Sequence, residues 1–158
     1  MRILVTGGAG FVGSNLATFF KRDMPDADVV ALDNLRRRGS ELALPRLKAA
    51  GVEFRHGDVR NPEDLAEFGD FDLMLECSAE PSVHAGYGAS PAYVVNTNLV
   101  GTVNCLEAVR RCGAALVFLS TSRVYPIAGL RGLPLRMVDK RLEPVEGAAG
   151  IVAALDKA

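Results

Sequence analysis

Four glycines within seven residues (Gly7, Gly8, Gly10 and Gly13) limit the folding of this chain more than any other feature. They follow Ile3-Leu4-Val5, an apolar run long enough for a buried strand and too short for a helix. A helical pattern begins directly after them, at Phe11. Strand, glycine turn and helix in that order make a cradle for phosphate. Glycine lets the backbone turn tightly and approach an anion, and a helix N-terminus offers unpaired N–H groups with partial positive charge.

The glycine spacing has two readings. Gly8-x-Gly10-x-x-Gly13 fits the dinucleotide fingerprint, and Gly7-x-x-Gly10-x-x-Gly13 fits a related pattern. A glycine-rich turn can also do no more than end a strand. The context decides between these. Val29-Val30-Ala31-Leu32-Asp33 is a second apolar run, and its closing carboxylate lies 20 residues past Gly13. A dinucleotide fold needs an acid there to accept hydrogen bonds from the adenosine ribose.

With 158 residues the chain has the size of one domain, and 49% apolar residues suit a parallel sheet covered on both faces. The net charge of −1 gives no bias toward nucleic acid or an anionic membrane. No stretch resembles a signal peptide or a spanning helix, so a cytoplasmic location is expected. Cys77, Cys105 and Cys112 are odd in number and lack C-x-x-C spacing. They read as small buried hydrophobes in a reducing compartment. Only His56 and His84 could join them as soft ligands, so no metal site is expected.

Along the chain, a helix is expected from Phe11 to Arg22 with Leu16, Phe19 and Phe20 packing inward. Arg36-Arg37-Arg38-Gly39 follows the second strand, either as a site for the extra phosphate of NADP or as a solvated loop. Asp33 favours the second, because its carboxylate would repel that phosphate. Glu41 to Ala50 reads as a short helix that Pro45 starts or breaks. Val52-Glu53-Phe54 is a third strand. Asn61-Pro62-Glu63-Asp64 is a helix start with a capping side chain, a proline and acids at the positive end. Phe71 to Glu76 is a fourth strand. A long helix spans Pro91 to Arg111 and stops at Gly113, with apolar residues on more than one side. Leu116 to Leu119 is a fifth strand. Strands alternating with helices predict an α/β fold, a doubly wound parallel sheet of about five strands. Its ligand is expected beyond the carboxyl ends of the strands, where the glycine turn, Asp33, Asp58, Ser78-Ala79 and Thr121 converge.

The segments T-G-G-A-G-F-V-G, L-D-N-L, G-D-V-R-N, Asn98-x-x-Gly101-Thr102 and S-T-S-R-V-Y together resemble the extended short-chain dehydrogenase/reductases. Within them the chain is most similar to the NAD-dependent sugar-nucleotide epimerases and dehydratases, and to the CDP-paratose 2-epimerase-like branch. The resemblance covers about 2–125 and implies a Rossmann, NAD(P)-binding domain followed by a tail at 126–158. It implies that Gly7, Gly10 and Gly13 hold the pyrophosphate, with backbone of Phe11 and Val12 at the helix start. Asp33 and Asn34 would hold the adenosine ribose, Asp58 and Val59 the adenine edge, and Ser78, Ala79 and Asn98 the nicotinamide half. Thr121 falls where the family places a catalytic hydroxyl. The implied cofactor is NAD rather than NADP, and the implied substrate is a nucleotide sugar. The implied chemistry is hydride removal, a keto intermediate and hydride return.

One departure stands out. The family carries a Tyr-x-x-x-Lys pair whose lysine lowers the tyrosine pKa. Here Tyr87, Tyr93 and Tyr125 are followed four residues later by Pro91, Thr97 and Gly129. The general base and the substrate lobe are therefore expected to be missing, which leaves open a non-catalytic NAD(P)-binding module or pseudoenzyme. A methyltransferase-like or flavin-binding relative fits the motifs less well. Relatives commonly pair through the long helix and the one after it, so self-association is expected of this chain.

Overall fold

Alternation along β1 (Arg2–Thr6) sets up the two layers of the core. In a strand successive side chains face opposite ways. Ile3 and Val5 are fully buried on one face with Ala17, Val29, Ala31, Leu47 and Leu75. Leu4 is fully buried on the other with Val30, Leu32, Leu65, Phe68, Met74, Cys105 and Ala108. A central strand buried on both sides belongs to a parallel sheet with helices above and below. The computed structural model of the protein describes residues 1–82, 84–121, 128 and 131–145.

After β1 come α1 (Phe11–Asp23), β2 (Asp28–Asp33), a 3₁₀ turn (Ser40–Ala43), α2 (Leu44–Ala49) and β3 (Glu53–His56). Then follow α3 (Pro62–Glu67), β4 (Leu73–Glu76), α4 (Ala92–Val95), a π turn (Asn96–Val100), α5 (Gly101–Cys112) and β5 (Ala115–Phe118). The five strands are parallel in the order β3-β2-β1-β4-β5. The strand order runs outward one way from β1 to β3 and the other way from β4 to β5, and this switch between β1 and β4 places a crevice at their carboxyl ends. α1 and α2 cover the face of Ile3 and Val5, while α3 and α5 cover the face of Leu4. The doubly wound five-stranded sheet expected from the sequence is the observed one.

The chain divides into two units, Met1–Leu119 and Ser120–Ala158. The first holds the sheet. The second contains an antiparallel hairpin of β6 (Leu135–Val138) and β7 (Arg141–Pro144), within the stretch expected from the sequence only as a tail.

Three local expectations need correction. Phe19 does not pack inward but is 45% exposed, with the Arg22 guanidinium 5.3 Å from its ring centre. Ala17 fills the inward stripe with Leu16 and Phe20, and Phe19, two residues from Ala17, lies more than half a turn away from it. Asn61 does not cap α3 with its side chain. Asp64 turns back instead and accepts the Asp58 N–H at 2.7 Å. The helix expected over Pro91 to Arg111 is interrupted by the π turn at Asn96–Val100.

Candidate dinucleotide site

The cradle begins where β1 ends. Gly7 has φ +61, the left-handed region that side chains disfavour, and its carbonyl accepts the Gly10 N–H at 2.9 Å. A Cβ on Gly13 would stand 2.2 Å from the Gly7 carbonyl oxygen, so only glycine lets α1 approach the turn this closely. The Gly8 N–H donates to the Leu32 carbonyl at 3.0 Å and ties the turn to β2. α1 starts with Gly10 as its N-cap and no side chain caps it. Its first N–H groups therefore lack intrahelical and side-chain partners at the sheet's carboxyl edge, where Phe11, 87% exposed, and Val12, also exposed, begin the helix.

Asp33 ends β2 beside this turn. Its Oδ2 accepts the Ala9 N–H at 3.1 Å and its Oδ1 accepts the Leu35 N–H at 2.8 Å. Each carboxylate oxygen keeps room for a second donor, which a ribose hydroxyl can supply. The uncapped helix end and this carboxylate fit a dinucleotide: donors for the pyrophosphate and an acceptor for the ribose.

Asn34 and Asp58 lie side by side, since the Asn34 amide donates to Asp58 Oδ2 at 2.9 Å. Asp58 is mostly spoken for. Arg60 Nε donates to both its oxygens at 2.9 and 3.0 Å. That guanidinium, more than the Asn34 amide, holds the Asp58 carboxyl well below the usual carboxylate range although burial works against it. Val59 is buried, packs in the core under α5, and offers its carbonyl to Asn104 Nδ2 at 2.9 Å.

After β4, the Ser78 N–H donates to Glu76 Oε1 at 3.0 Å, and Ala79 is exposed in the loop. Asn98 spends its side chain on that loop, accepting the Glu80 N–H at 2.7 Å and donating to the Glu80 carbonyl at 3.2 Å. It positions the segment carrying Ser78 and Ala79. Thr121 is exposed and belongs to the second unit. Residues 122–125 of the S-T-S-R-V-Y motif lie outside the described residues.

Several residues that shape the site escaped the sequence reading. The Asp58-x-Arg60 spacing was a signal for the clasp, but Tyr93, Asn104 and Glu76 gave none. Burial raises the Cys77 thiol to about 12 and lifts that of Cys105 as well, so neither is poised as a nucleophile. A groove of about 730 Å³ between α1 and α2, lined by Asn15, Phe19, Arg46 and Ala50 among others, contains none of the expected site residues. Among the described residues no cluster of His, Cys, Asp and Glu could hold a metal ion, and no helix is long and apolar enough to cross a membrane.

The sheet order, the uncapped glycine cradle and the carboxylate at the end of β2 define a Rossmann domain of the dinucleotide-binding class. The chain belongs to the NAD dependent epimerase/dehydratase family, whose pattern it matches over residues 3–140. It is 36% identical over 126 residues to dTDP-glucose 4,6-dehydratase of Mycobacterium tuberculosis, and 36% identical over 135 residues to CDP-paratose 2-epimerase of Salmonella typhi. Each alignment covers 79% of this chain and 38% of the relative, so the chain spans well under half their length. Among solved structures it is similar to UDP-glucuronic acid 4-epimerase from Bacillus cereus, determined with NAD. There the TM-score is 0.71 at 27% identity, covering 98% of this chain and 49% of that one. dTDP-glucose 4,6-dehydratase from Bacillus anthracis, also in complex with NAD, gives 0.68 at 26% identity, covering 99% and 50%. The chain aligns to the amino-terminal, NAD-binding half of these enzymes.

Proposed function

We propose that this chain is the NAD-binding portion of a sugar-nucleotide epimerase or dehydratase. The observation that carries the reading is the pairing of an uncapped α1 N-terminus with the Asp33 carboxylate across one glycine turn. Gly7, Gly10 and Gly13 give the pyrophosphate its approach, and the N–H groups of Phe11 and Val12 face it. Asp33 and Asn34 take the adenosine ribose, and Asp58 and Val59 border the adenine. Ser78 and Ala79 line the nicotinamide half, with Asn98 fixing their loop. Thr121 orients the reacting hydroxyl of a nucleotide sugar. The bound nicotinamide supplies reversible hydride acceptance. Three free cysteines suit a reducing, cytoplasmic setting.

A second reading is a non-catalytic NAD-binding module; within these residues Tyr87, Tyr93 and Tyr125 are followed four positions on by Pro91, Thr97 and Gly129. A threonine hydroxyl holds its proton too tightly at neutral pH to replace that base. The 158-residue chain with NAD is therefore expected to turn over nucleotide sugars at least about 10²–10⁴-fold more slowly than a family enzyme with its base. Robust epimerisation or dehydration by the purified chain would sink this and direct attention to another base, His84 first.

Ligand choice is tested by calorimetric titration with NAD, NADP, S-adenosylmethionine and FAD in parallel. NAD should bind tightest. Asp33→Ala should weaken NAD by about 1.5–3 kcal/mol, the worth of a hydrogen bond to a charged group, while NADP loses less because a repelling charge has gone. NADP bound more tightly than NAD by the wild type would return the three arginines to the phosphate role.

A further inference from the structure

Arg36 stands three residues past Asp33, on the loop that leaves the ribose end of the site. A guanidinium near this point is what a dinucleotide fold uses to accommodate a 2′-phosphate. In this molecule the group is engaged elsewhere. The Arg36 guanidinium carbon lies 4.1 Å from the centre of the Tyr93 ring, on α4, and that of Arg60 lies 5.2 Å from the same ring. Both distances are within cation–π reach. Arg60 is held a second time by Asp58, and Asp58 is held by the Asn34 amide. Asn34 Oδ1 in turn accepts the Arg36 N–H at 3.0 Å, which closes a ring of contacts around Tyr93. Three separate elements, the loops after β2 and β3 and helix α4, thus converge on one aromatic side chain.

We propose that Tyr93 is a specificity-determining residue for the dinucleotide: it stacks Arg36 and Arg60 and so withholds their guanidinium groups from the ribose 2′ position. Asp33 excludes a 2′-phosphate by repulsion. Tyr93 excludes it by occupying the cations that would offset that repulsion. The inference rests on the NAD-binding reading given above.

The test is calorimetric titration of NAD and NADP into the full 158-residue chain as wild type, Tyr93→Phe, Tyr93→Leu and Tyr93→Leu/Arg36→Gln. Thermal melting accompanies each to show that the variant is folded. An exposed cation–π contact is worth about a two- to fivefold change in an equilibrium. Tyr93→Leu should therefore tighten NADP about two- to fivefold and leave NAD within twofold. Tyr93→Phe, which keeps an aromatic face, should match the wild type. Adding Arg36→Gln to Tyr93→Leu should cancel the gain. A Tyr93→Leu chain that loses NAD and NADP equally would show that the stack only shapes the adenine pocket, and an unmoved NADP affinity would overturn the inference as well. If the folded wild type binds neither dinucleotide, the NAD-binding reading itself fails. Binding of NAD with an unmoved ratio sinks the Tyr93 inference alone.

Discussion

Glu76, at the carboxyl end of β4, is 2% exposed. Its Oε1 accepts the Ser78 N–H at 3.0 Å and the Thr6 hydroxyl at 3.4 Å, and burial nevertheless raises its pKa above the ordinary carboxyl value. Burial outweighs the two hydrogen bonds because the charged form loses its hydration. The sign of the linkage follows. Below the unfolded pKa both states hold the proton and Glu76 costs nothing. As pH rises above it the folded chain must keep a proton the unfolded chain has released, or bury a charge, and stability falls until the folded pKa is passed. Glu76→Gln should therefore melt higher than the wild type near neutral pH, and the gap should close as pH drops below the ordinary carboxyl range. Melting curves from about pH 4 to pH 8 check it; a gap that widens toward acid would contradict the assignment. Asp58 runs the other way, since Arg60 lowers its pKa and its contribution is lost in acid. The place of Asp33, at the end of β2 beside the glycine turn, was legible in the sequence, because a carboxylate there closes an apolar run at a fixed distance from the glycines. The Asp58–Arg60 clasp was hinted at only by its two-residue spacing, and the Tyr93 stack was not legible at all, because it depends on where side chains from separate loops come to rest, which no periodicity records.

At the level of elements, strand, turn and helix read correctly because each local rule agreed with the next: apolar run, glycines, then helical spacing. The turn is also the least forgiving part of the molecule. Alanine at Gly13 would push its Cβ to 2.2 Å from backbone, which cannot swing aside as a side chain would. Gly13→Ala is expected to destabilise the chain by at least about 1–3 kcal/mol, the ordinary cost of overpacking, and to lower NAD affinity too. Gly10→Ala, whose Cβ would stand 3.1 Å from the same oxygen, should cost visibly less. Denaturant titration of the two variants separates them; equal stabilities would mean that the turn relaxes. The long helix shows the limit of pattern reading. Its apolar spacing gave a helix over Pro91 to Arg111, but the π turn at Asn96–Val100 adds only one residue to the local hydrogen-bonded ring, and spacing does not register it. Within that turn Thr97 Oγ1 is buried without a hydrogen-bond partner among the described residues.

Among the described residues, the segment from α4 to α5 carries exposed apolar side chains. Leu99 is 61% exposed and Val103 53%, with Val95, Val100 and Leu106 also exposed along α4, the π turn and α5. Among the described residues β5 is an edge of the five-stranded sheet, with Val117 and Phe118 exposed. An exposed apolar patch of this kind suits a contact surface, and the edge of a sheet can pair with another chain. The chain is expected to self-associate through the α4–α5 face. Leu99→Glu/Val103→Glu should shift sedimentation velocity profiles toward monomer at concentrations where the wild type associates. A wild type that stays monomeric across the series would remove this expectation. That surface was half legible: the sequence showed too many apolar positions for one sheet face, but not which of them remained uncovered.

The central claim, that NAD lies across the glycine turn with its ribose on Asp33, is tested most directly by following backbone amide chemical shifts while NAD is added to the labelled chain. The largest changes are expected at Phe11, Val12 and Gly13, with others at Asn34, Val59, Ser78 and Ala79. Changes confined to Thr18, Phe19, Ala49 and Ala50 in the groove between α1 and α2, or none at saturating NAD in a folded chain, would contradict it.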